Sequence, residues 1–246
     1  MTARDHGDLY LSTEFRALLA DSGLQLFHDF WSLPEEFVDQ VNIRKGGWSA
    51  VSRLCVESPA GSEVFFVKRQ ENQLRRRPMS PLGKLTFAYE AEGILRNQHF
   101  QLPCVDLVGF GQRKIGRQRQ AILITRGLEY PSLAELLEQN PEHRNLTNVL
   151  TVAGKELLKM HNRRISHGAL YSKHLYLDLP KKQTHLIDFE RSRMCLTVSS
   201  AIKRDFGQFL KYAGNLRNDE LYAFMEHHMA TYPRLMHQLI EKSHDR

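Results

Sequence analysis

Lys68 lies near the end of an apolar run in which its charge is unusual. The run is Phe65-Phe66-Val67-Lys68-Arg69, and the alternation of a β-strand places Phe66 and Lys68 on one face of it and Phe65 and Val67 on the other. Burying an ammonium group without a partner costs several kcal/mol. Lys68 therefore needs an anionic partner or a route to solvent, and an ordinary surface lysine at the end of a strand is the alternative.

A carboxylate further along the chain is the candidate partner of Lys68. Apolar periodicity predicts a helix over 85–98. Glu90 follows Phe87 by three residues and precedes Ile94 by four, so it lies on their apolar face. The sequence thus predicts a Lys68–Glu90 pair, with a glutamate that reaches outward to water as the alternative.

Paired glycines precede this region in the segment Gly46-Gly47-Trp48-Ser49. Glycine tolerates positive φ and lets backbone N–H groups approach a phosphate closely. No Gly-Lys-Ser or Gly-Lys-Thr follows, so the segment is not a Walker A motif. It predicts either a phosphate-covering turn or a simple hairpin between two strands.

A second group of candidate residues lies in the second half of the chain. It consists of His167-Gly168-Ala169-Leu170-Tyr171-Ser172-Lys173-His174 and, further on, Ile187-Asp188-Phe189. Asp188 ends an apolar strand and supplies the hard oxygen ligands that Mg²⁺ prefers, although an aspartate there is also typical of a turn or helix cap. The two histidines lack the helical i,i+4 spacing of a zinc motif, and structural histidines are the alternative for each.

The elements that must hold these residues form two contrasting halves. Strands are predicted at 41–45, 51–57, 64–69, 105–111 and 120–125, around the helix at 85–98. Helices are predicted at 132–138 and 146–162, with short β runs at 175–177 and 185–187, and the remainder is helical. We therefore expect an α+β protein with an N-terminal extension at 1–40 that holds a helix over 13–25, a sheet lobe at 41–127, and a helical lobe at 128–246. A ligand cleft is expected between the two lobes.

Composition and charge restrict the function further. The 246 residues are 41% hydrophobic and 25% charged, as in ordinary globular proteins. There is no apolar run of about 18 residues, the length that a membrane-spanning helix needs. The polar N-terminus does not predict a signal peptide, and the three cysteines do not form a disulfide or zinc pattern. These features favour a cytoplasmic protein.

The net charge of +6 indicates an anionic partner: nucleotide phosphate, nucleic acid or anionic lipid. Many of the basic residues fall within 68–84, where no aromatic residues are interleaved with them. Binding to nucleic acid favours such aromatic residues, so the composition argues against that partner.

In this order, the motifs resemble those of the lipopolysaccharide kinase family (the Kdo/WaaP group) and, within it, the InaA-like proteins. The resemblance covers about residues 40–212 and is strongest at His161, at the His167–His174 segment, at Ile187-Asp188-Phe189 and at Arg204-Asp205-Phe206. It implies a bilobal protein-kinase-like fold with ATP and Mg²⁺ as cofactors.

The resemblance also implies a role for each candidate residue. The backbone of Gly46, Gly47, Trp48 and Ser49 would cover the nucleotide phosphates. Lys68 would hold the α- and β-phosphates and would be oriented by Glu90, and Asp188 would bind Mg²⁺. His174 occupies the place of the metal-binding asparagine of protein kinases. Because imidazole is a poor Mg²⁺ ligand, an orienting role suits it better than ligation.

One position departs from the kinase pattern. The catalytic-loop aspartate that accepts the acceptor's proton would fall at Ala169, with Glu190 as a candidate substitute. Two hypotheses follow: an active kinase, or a pseudokinase that binds nucleotide or a partner without efficient transfer. The resemblance implies an anionic, lipopolysaccharide-type acceptor bearing heptose or Kdo. The basic residues Arg75, Arg76 and Arg77 would then face either this acceptor or the inner face of the membrane.

Overall fold

The computed structural model describes residues 8–44, 46–58, 61–78, 80–139, 145–213 and 216–244. The chain divides into two compact units. The first holds the residues up to Leu95 together with Val105–Gly127, and the second holds Arg96–Cys104 and the residues from Leu128 onward. Both helices and antiparallel strands are present, so the protein is α+β as expected.

The first unit is built on one large sheet. Its elements are β1 (Asp8–Leu11), α1 (Thr13–Asp21), α2 (Phe27–Trp31), β2 (Asn42–Arg44), β3 (Gly47–Ser58), β4 (Gly61–Glu71), β5 (Leu74–Arg77), β6 (Ser80–Leu85), α3 (Thr86–His99), β7 (Leu107–Ile115) and β8 (Gln118–Arg126). Six of the strands form an antiparallel sheet in the order β1-β7-β8-β4-β3-β2, and β5 and β6 form a separate hairpin.

Strand β4 is central to the sheet, and its alternation divides the unit into two layers. Phe65 and Val67 belong to a buried cluster with aromatic and aliphatic side chains of α1 and α2. Lys68 lies on the other side of the strand, directly across from Val51 of β3, and contacts α3. The alternation predicted from the sequence is therefore present.

The segment before β2 is fastened to this sheet by Arg69. Its buried guanidinium donates hydrogen bonds to the carbonyl oxygens of Trp31 (3.0 Å), Leu33 (2.6 Å) and Pro34 (3.0 Å), and to Oγ of Ser52 (2.9 Å). Burial lowers the pKa of Arg69, because the charged form loses hydration. The segment before β2, which the sequence predicted only as an extension, thus provides one layer of the core of the first unit.

Several elements of this unit differ from the sequence prediction. The first helix ends at Asp21 and not at residue 25, and neither β1 nor α2 was predicted from the sequence. The hairpin β5–β6 lies in the basic stretch, where no alternation of apolar residues marks strands. Lys45, the predicted end of one strand, lies outside the described residues.

The second unit is mainly helical. Its elements are α4 (Leu133–Glu138), α5 (Thr147–Asn162), β9 (Ile165–Ser166), β10 (Leu175–Asp178), β11 (Gln183–Leu186), β12 (Arg193–Met194), α6 (Val198–Tyr212), α7 (Asn218–Thr231) and α8 (Pro233–His244). Two small antiparallel ladders join β10 to β11 and β9 to β12. Among the described residues, none of the helices has the length and apolar character needed to cross a membrane.

Close packing of α5 against α7 fixes the core of the second unit. Gly154 of α5 lies so close to the backbone of Phe224 that a Cβ atom at this position would overlap its carbonyl oxygen. The predicted periodicity of α5 is confirmed, since Leu150, Ala153 and Leu157 are buried on one face. Helix α5 thereby sets the position of the loop that follows it, which carries His167 and Ala169.

Candidate functional site

Lys68 and Glu90 form a direct ion pair within the first unit. The Lys68 Nζ atom lies 2.5 Å from Glu90 Oε1, and the side chains are only 17% and 2% exposed, respectively. A nearly buried carboxylate is stable as an anion only when a cation or several donors face it. The partner that the sequence predicted for Lys68 is therefore present, and its ammonium is held in a fixed position.

Strand β4 contacts α3 at a second point, through Gln70. Its Oε1 atom accepts hydrogen bonds from the backbone N–H of Phe87 (2.6 Å) and from Oγ1 of Thr86 (3.1 Å), while its Nε2 donates to the carbonyl of Gln73 (3.0 Å). Gln70 thus satisfies one of the free N–H groups at the start of α3. Sequence reasoning missed this residue, although its i,i+2 spacing from Lys68 placed it on the same face of the strand.

The glycine segment is a tight turn followed immediately by β3. Gly46 adopts a φ of +77°, which favours glycine, and a Cβ atom at Gly47 would overlap the carbonyl oxygen of Glu71. Trp48 and Ser49, which we expected in the turn, belong to β3. β2 pairs with β3 from its last residue, with Arg44 across from Gly47.

The side chains of Trp48 and Ser49 lie on opposite faces of the sheet. Trp48 is across from Glu71 and packs against Trp31, with the ring centroids 5.6 Å apart. It therefore faces away from the layer that contains Lys68. Ser49 pairs with Gln70 and shares the Lys68 face. Only the backbone of Trp48 can then contribute to a site on that face.

Asp188 follows β11 in the second unit and has an unusual backbone conformation. Its φ of 64° and ψ of 63° are left-handed, a conformation that costs a residue with a Cβ atom about 1 kcal/mol and is often found at functional sites. Its side chain is 31% exposed, and Oδ2 lies 3.4 Å from Nε2 of His174. Asp188 and His174 are therefore brought together, although 14 residues separate them.

The hydrogen bonds of His174 and His167 identify their tautomers. His174 donates Nδ1–H to the carbonyl of Ala169 (2.8 Å), and His167 donates Nε2–H to the carbonyl of Ile187 (2.9 Å). The Nδ1 atom of His167 accepts the N–H of Ala169 at 3.3 Å. Burial lowers the pKa of His167 and lowers that of His174 to about 4. Both rings are neutral at pH 7 and brace the loop.

Asp205 of α6 anchors the same loop through its carboxylate. Its fully buried carboxylate accepts hydrogen bonds from the backbone N–H groups of His167 and Gly168, both at 2.7 Å, and from Nε2 of His161 at 3.1 Å. His161 Nδ1 lies 2.8 Å from Nε2 of His228, whose pKa burial lowers to about 2. The neutral His228 ring therefore donates to His161, which donates in turn to Asp205.

Ala169 is buried and offers only backbone groups to its surroundings. Its N–H and its carbonyl are both used by the two neighbouring histidines. Its methyl group cannot accept a proton. Glu190 is half-buried and lies two residues after Asp188, in the 3₁₀ turn Phe189–Arg191.

The chain matches one known protein family over most of its length. The model described as "Lipopolysaccharide kinase (Kdo/WaaP) family" matches residues 28–229. The chain belongs to this family. No curated protein matches the chain. Among solved structures, "WaaP in complex with acyl carrier protein" aligns over 97% of this chain and 98% of that chain, with a TM-score of 0.62 and 19% sequence identity. The Kdo/WaaP resemblance is thus confirmed, and the fold is kinase-like.

The residues present suit the Mg²⁺ that kinases of the Kdo/WaaP type imply. Mg²⁺ is usually bound by one or two carboxylates and by substrate phosphates, and it keeps several waters. Asp188 offers such a carboxylate, half-exposed at a strained position. Within the described residues no cluster of three or more His, Cys, Asp or Glu side chains could hold a metal. The donor set suits an ion that arrives with a nucleotide better than a resident structural metal.

Proposed function

We propose that this member of the Kdo/WaaP family is an ATP-dependent kinase that phosphorylates a hydroxyl group of a heptose or Kdo sugar of the lipopolysaccharide core, or of a related envelope molecule. The observation that carries the proposal is the Lys68–Glu90 ion pair. A lysine held this way between a sheet and a helix is the group that positions nucleotide phosphates in kinases.

The remaining candidate residues have complementary roles in this proposal. The backbone N–H groups of Gly46, Gly47, Trp48 and Ser49 cover the phosphates, Lys68 binds the α- and β-phosphates, and Asp188 binds Mg²⁺. The ion neutralises the charge that develops on the phosphates during transfer. His174, whose Nδ1–H is held by the carbonyl of Ala169, orients the Asp188 carboxylate through a shared water, because its unprotonated Nε2 cannot donate to that carboxylate.

Transfer without a carboxylate at Ala169 has a physical basis. The transferred phosphoryl group passes through a loose transition state, so most of the acceleration comes from positioning and electrostatic stabilisation. A general base contributes roughly 10²–10⁴-fold. We propose that Glu190 accepts the proton of the acceptor hydroxyl, at a lower rate than a catalytic-loop aspartate would give.

A pseudokinase is the second candidate function, and Ala169 is the observation that favours it. In this case the chain binds Mg-ATP, or a partner, without efficient transfer. A pseudokinase that binds Mg-ATP needs the Lys68 site as the kinase does, so these two differ in turnover and not in nucleotide binding.

Binding of Mg-ATP tests what the kinase and a nucleotide-binding pseudokinase share. We expect calorimetric titration to detect binding to the wild-type protein and a loss of at least tenfold in affinity for Lys68→Ala, because a charge-assisted contact to phosphate is removed. Lys68→Ala/Glu90→Gln removes both charges and is the control for the buried carboxylate left behind. Unchanged affinity in both variants would remove Lys68 from the site.

We further propose that the β5–β6 hairpin contacts the anionic inner face of the cytoplasmic membrane from the cytoplasmic side. Arg76 is exposed, and Leu82 on the same hairpin is 88% exposed. Arg77 lies over the ring of Tyr89 at 4.0 Å. We expect vesicles with anionic lipid to retain the protein and to lose it when Arg75, Arg76 and Arg77 are all changed to Gln. Equal retention would contradict this contact.

A further inference from the structure

Two arginines lie against the loop residue that precedes Ala169. Gly168 adopts a φ of +78°, and a Cβ atom there would lie 2.6 Å from the carbonyl oxygen of Arg191 and 2.9 Å from Nε of Arg204. Only glycine fits this position, because any side chain would displace one of the two arginines. The Arg204 guanidinium and the Arg191 backbone are therefore in direct contact with the catalytic loop.

A third arginine is tied to the same loop through the ladder of β9 and β12. Arg193 of β12 is paired with Ser166 of β9, which lies two residues before Gly168. Arg193 and Arg191 are exposed. Burial lowers the pKa of Arg204, and the charges of Arg193 and Arg191 lower it further, so the three positive charges lie within range of one another.

The charge of this arginine cluster, Arg191, Arg193 and Arg204, is only partly offset: Asp205 raises the pKa of Arg204, against the effects of burial and of the other two arginines. Among the described residues, no carboxylate forms a salt bridge with any of the three. Nε of Arg204 is buried and has no hydrogen-bond partner in that part of the chain. Asp205, the adjacent acid, already accepts three hydrogen bonds. Three clustered cations with a buried, unsatisfied donor favour a bound anion.

We propose that Arg191, Arg193 and Arg204 form an anion subsite that binds a phosphate or carboxylate group of the acceptor. Guanidinium groups suit this role because their planar donors match both kinds of anion. The subsite lies beside residues 166–168, so an anchored acceptor would be held next to Ala169. Positioning of this kind compensates for the missing carboxylate. The inference rests on the proposed kinase function, since it assigns the anion to the acceptor.

Titration with small sugar anions, without ATP or Mg²⁺, tests the subsite. Glucose 6-phosphate represents the phosphate class, glucuronate the carboxylate class, and glucose is the neutral control. We expect the wild-type protein to bind at least one of the two anions more tightly than glucose. Arg191→Gln and Arg193→Gln should each weaken that binding about tenfold, because each removes a charge-assisted hydrogen bond. Arg234→Gln changes an exposed arginine of α8 and should leave the affinity unchanged.

Lys68→Ala separates the subsite from the proposed nucleotide site, which also attracts phosphate. We expect Lys68→Ala to bind the sugar anion like the wild-type protein. The inference is overturned if neither anion binds better than glucose. It is also overturned if neither Arg191→Gln nor Arg193→Gln weakens binding of the sugar anion, or if only Lys68→Ala abolishes that binding. Mg-ATP binding is measured separately, so failure of the anion subsite would not by itself contradict the proposed kinase function.

Discussion

At the level of single residues, the main chemical question is which group accepts the proton of the acceptor hydroxyl, because Ala169 cannot. The Kdo/WaaP resemblance puts its methyl group where a kinase catalytic loop has a carboxylate. His167 and His174 hold both polar atoms of its backbone. The loop is therefore held by hydrogen bonds on both sides of Ala169, whose own side chain cannot accept a proton.

Restoring the carboxylate should raise the rate of transfer. We expect Ala169→Asp to increase the rate of acceptor-dependent ADP release by tenfold or more, since a general base contributes roughly 10²–10⁴-fold. Ala169→Asn is the matched control, with the same size and no basic oxygen, and it should give no increase. A rate that is equal in the two variants would contradict the assignment of this position.

Local patterns made some of these residues predictable and left others hidden. The Lys68–Glu90 pair follows from strand alternation and helix periodicity, which depend only on neighbouring residues. The contacts of Asp205 with His167 and Gly168 join residues 38 and 37 positions apart. No spacing rule reports such contacts, so the sequence marked Asp205 only as part of a family motif. The cluster around Arg204 was hidden for the same reason.

At the level of elements, α6 holds the loop at His167 and Gly168 through the carboxylate of Asp205. All three donors that meet Asp205 are buried, and the chain of hydrogen bonds continues through His161 to His228. Buried networks of this kind stabilise a structure only when each member is satisfied. Loss of the acceptor would leave backbone N–H groups without partners.

We expect Asp205→Asn to lower the free energy of unfolding by about 3 kcal/mol, because an amide NH₂ would face donors in a buried position. Urea denaturation measures this change. Asp188→Asn is the control, since asparagine tolerates the left-handed conformation and Asp188 is half-exposed. It should change the stability by less than about 0.5 kcal/mol. Equal stability losses in the two variants would contradict the anchoring role of Asp205.

The elements predicted from the sequence were those with a clear apolar period, such as α3 and α5. The β5–β6 hairpin escaped prediction because β5 is basic and neither strand makes a buried face of its own. The short strands β9 and β12 were missed because two residues are too few to show alternation. Helix α2 lies in a segment whose position depends on Arg69, a contact distant in sequence.

For the molecule as a whole, buried neutral histidines make stability depend on pH. Burial lowers the pKa of His167, lowers that of His174 to about 4, and lowers that of His228 to about 2. In the unfolded chain each histidine titrates near 6.5. Below that pH the unfolded chain binds protons that the folded chain excludes.

The stability contributed by these histidines is therefore complete above about pH 6.5 and is lost as the pH falls toward 4. We expect the free energy of unfolding to decrease by about 1.4 kcal/mol per pH unit for each histidine in this range. Urea denaturation at pH 7.5 and 5.5 measures the change. His228→Gln, which keeps a donor toward His161, should show a shallower dependence. Identical stability at both pH values would contradict the buried neutral state.

Release of ADP by the purified protein, with Mg-ATP and a lipopolysaccharide core acceptor, tests phosphoryl transfer most directly. The kinase proposal predicts that the acceptor stimulates release by the wild-type protein and that Lys68→Ala abolishes the stimulation. An acceptor-independent rate, equal in the wild-type protein and in Lys68→Ala, would contradict transfer to this acceptor.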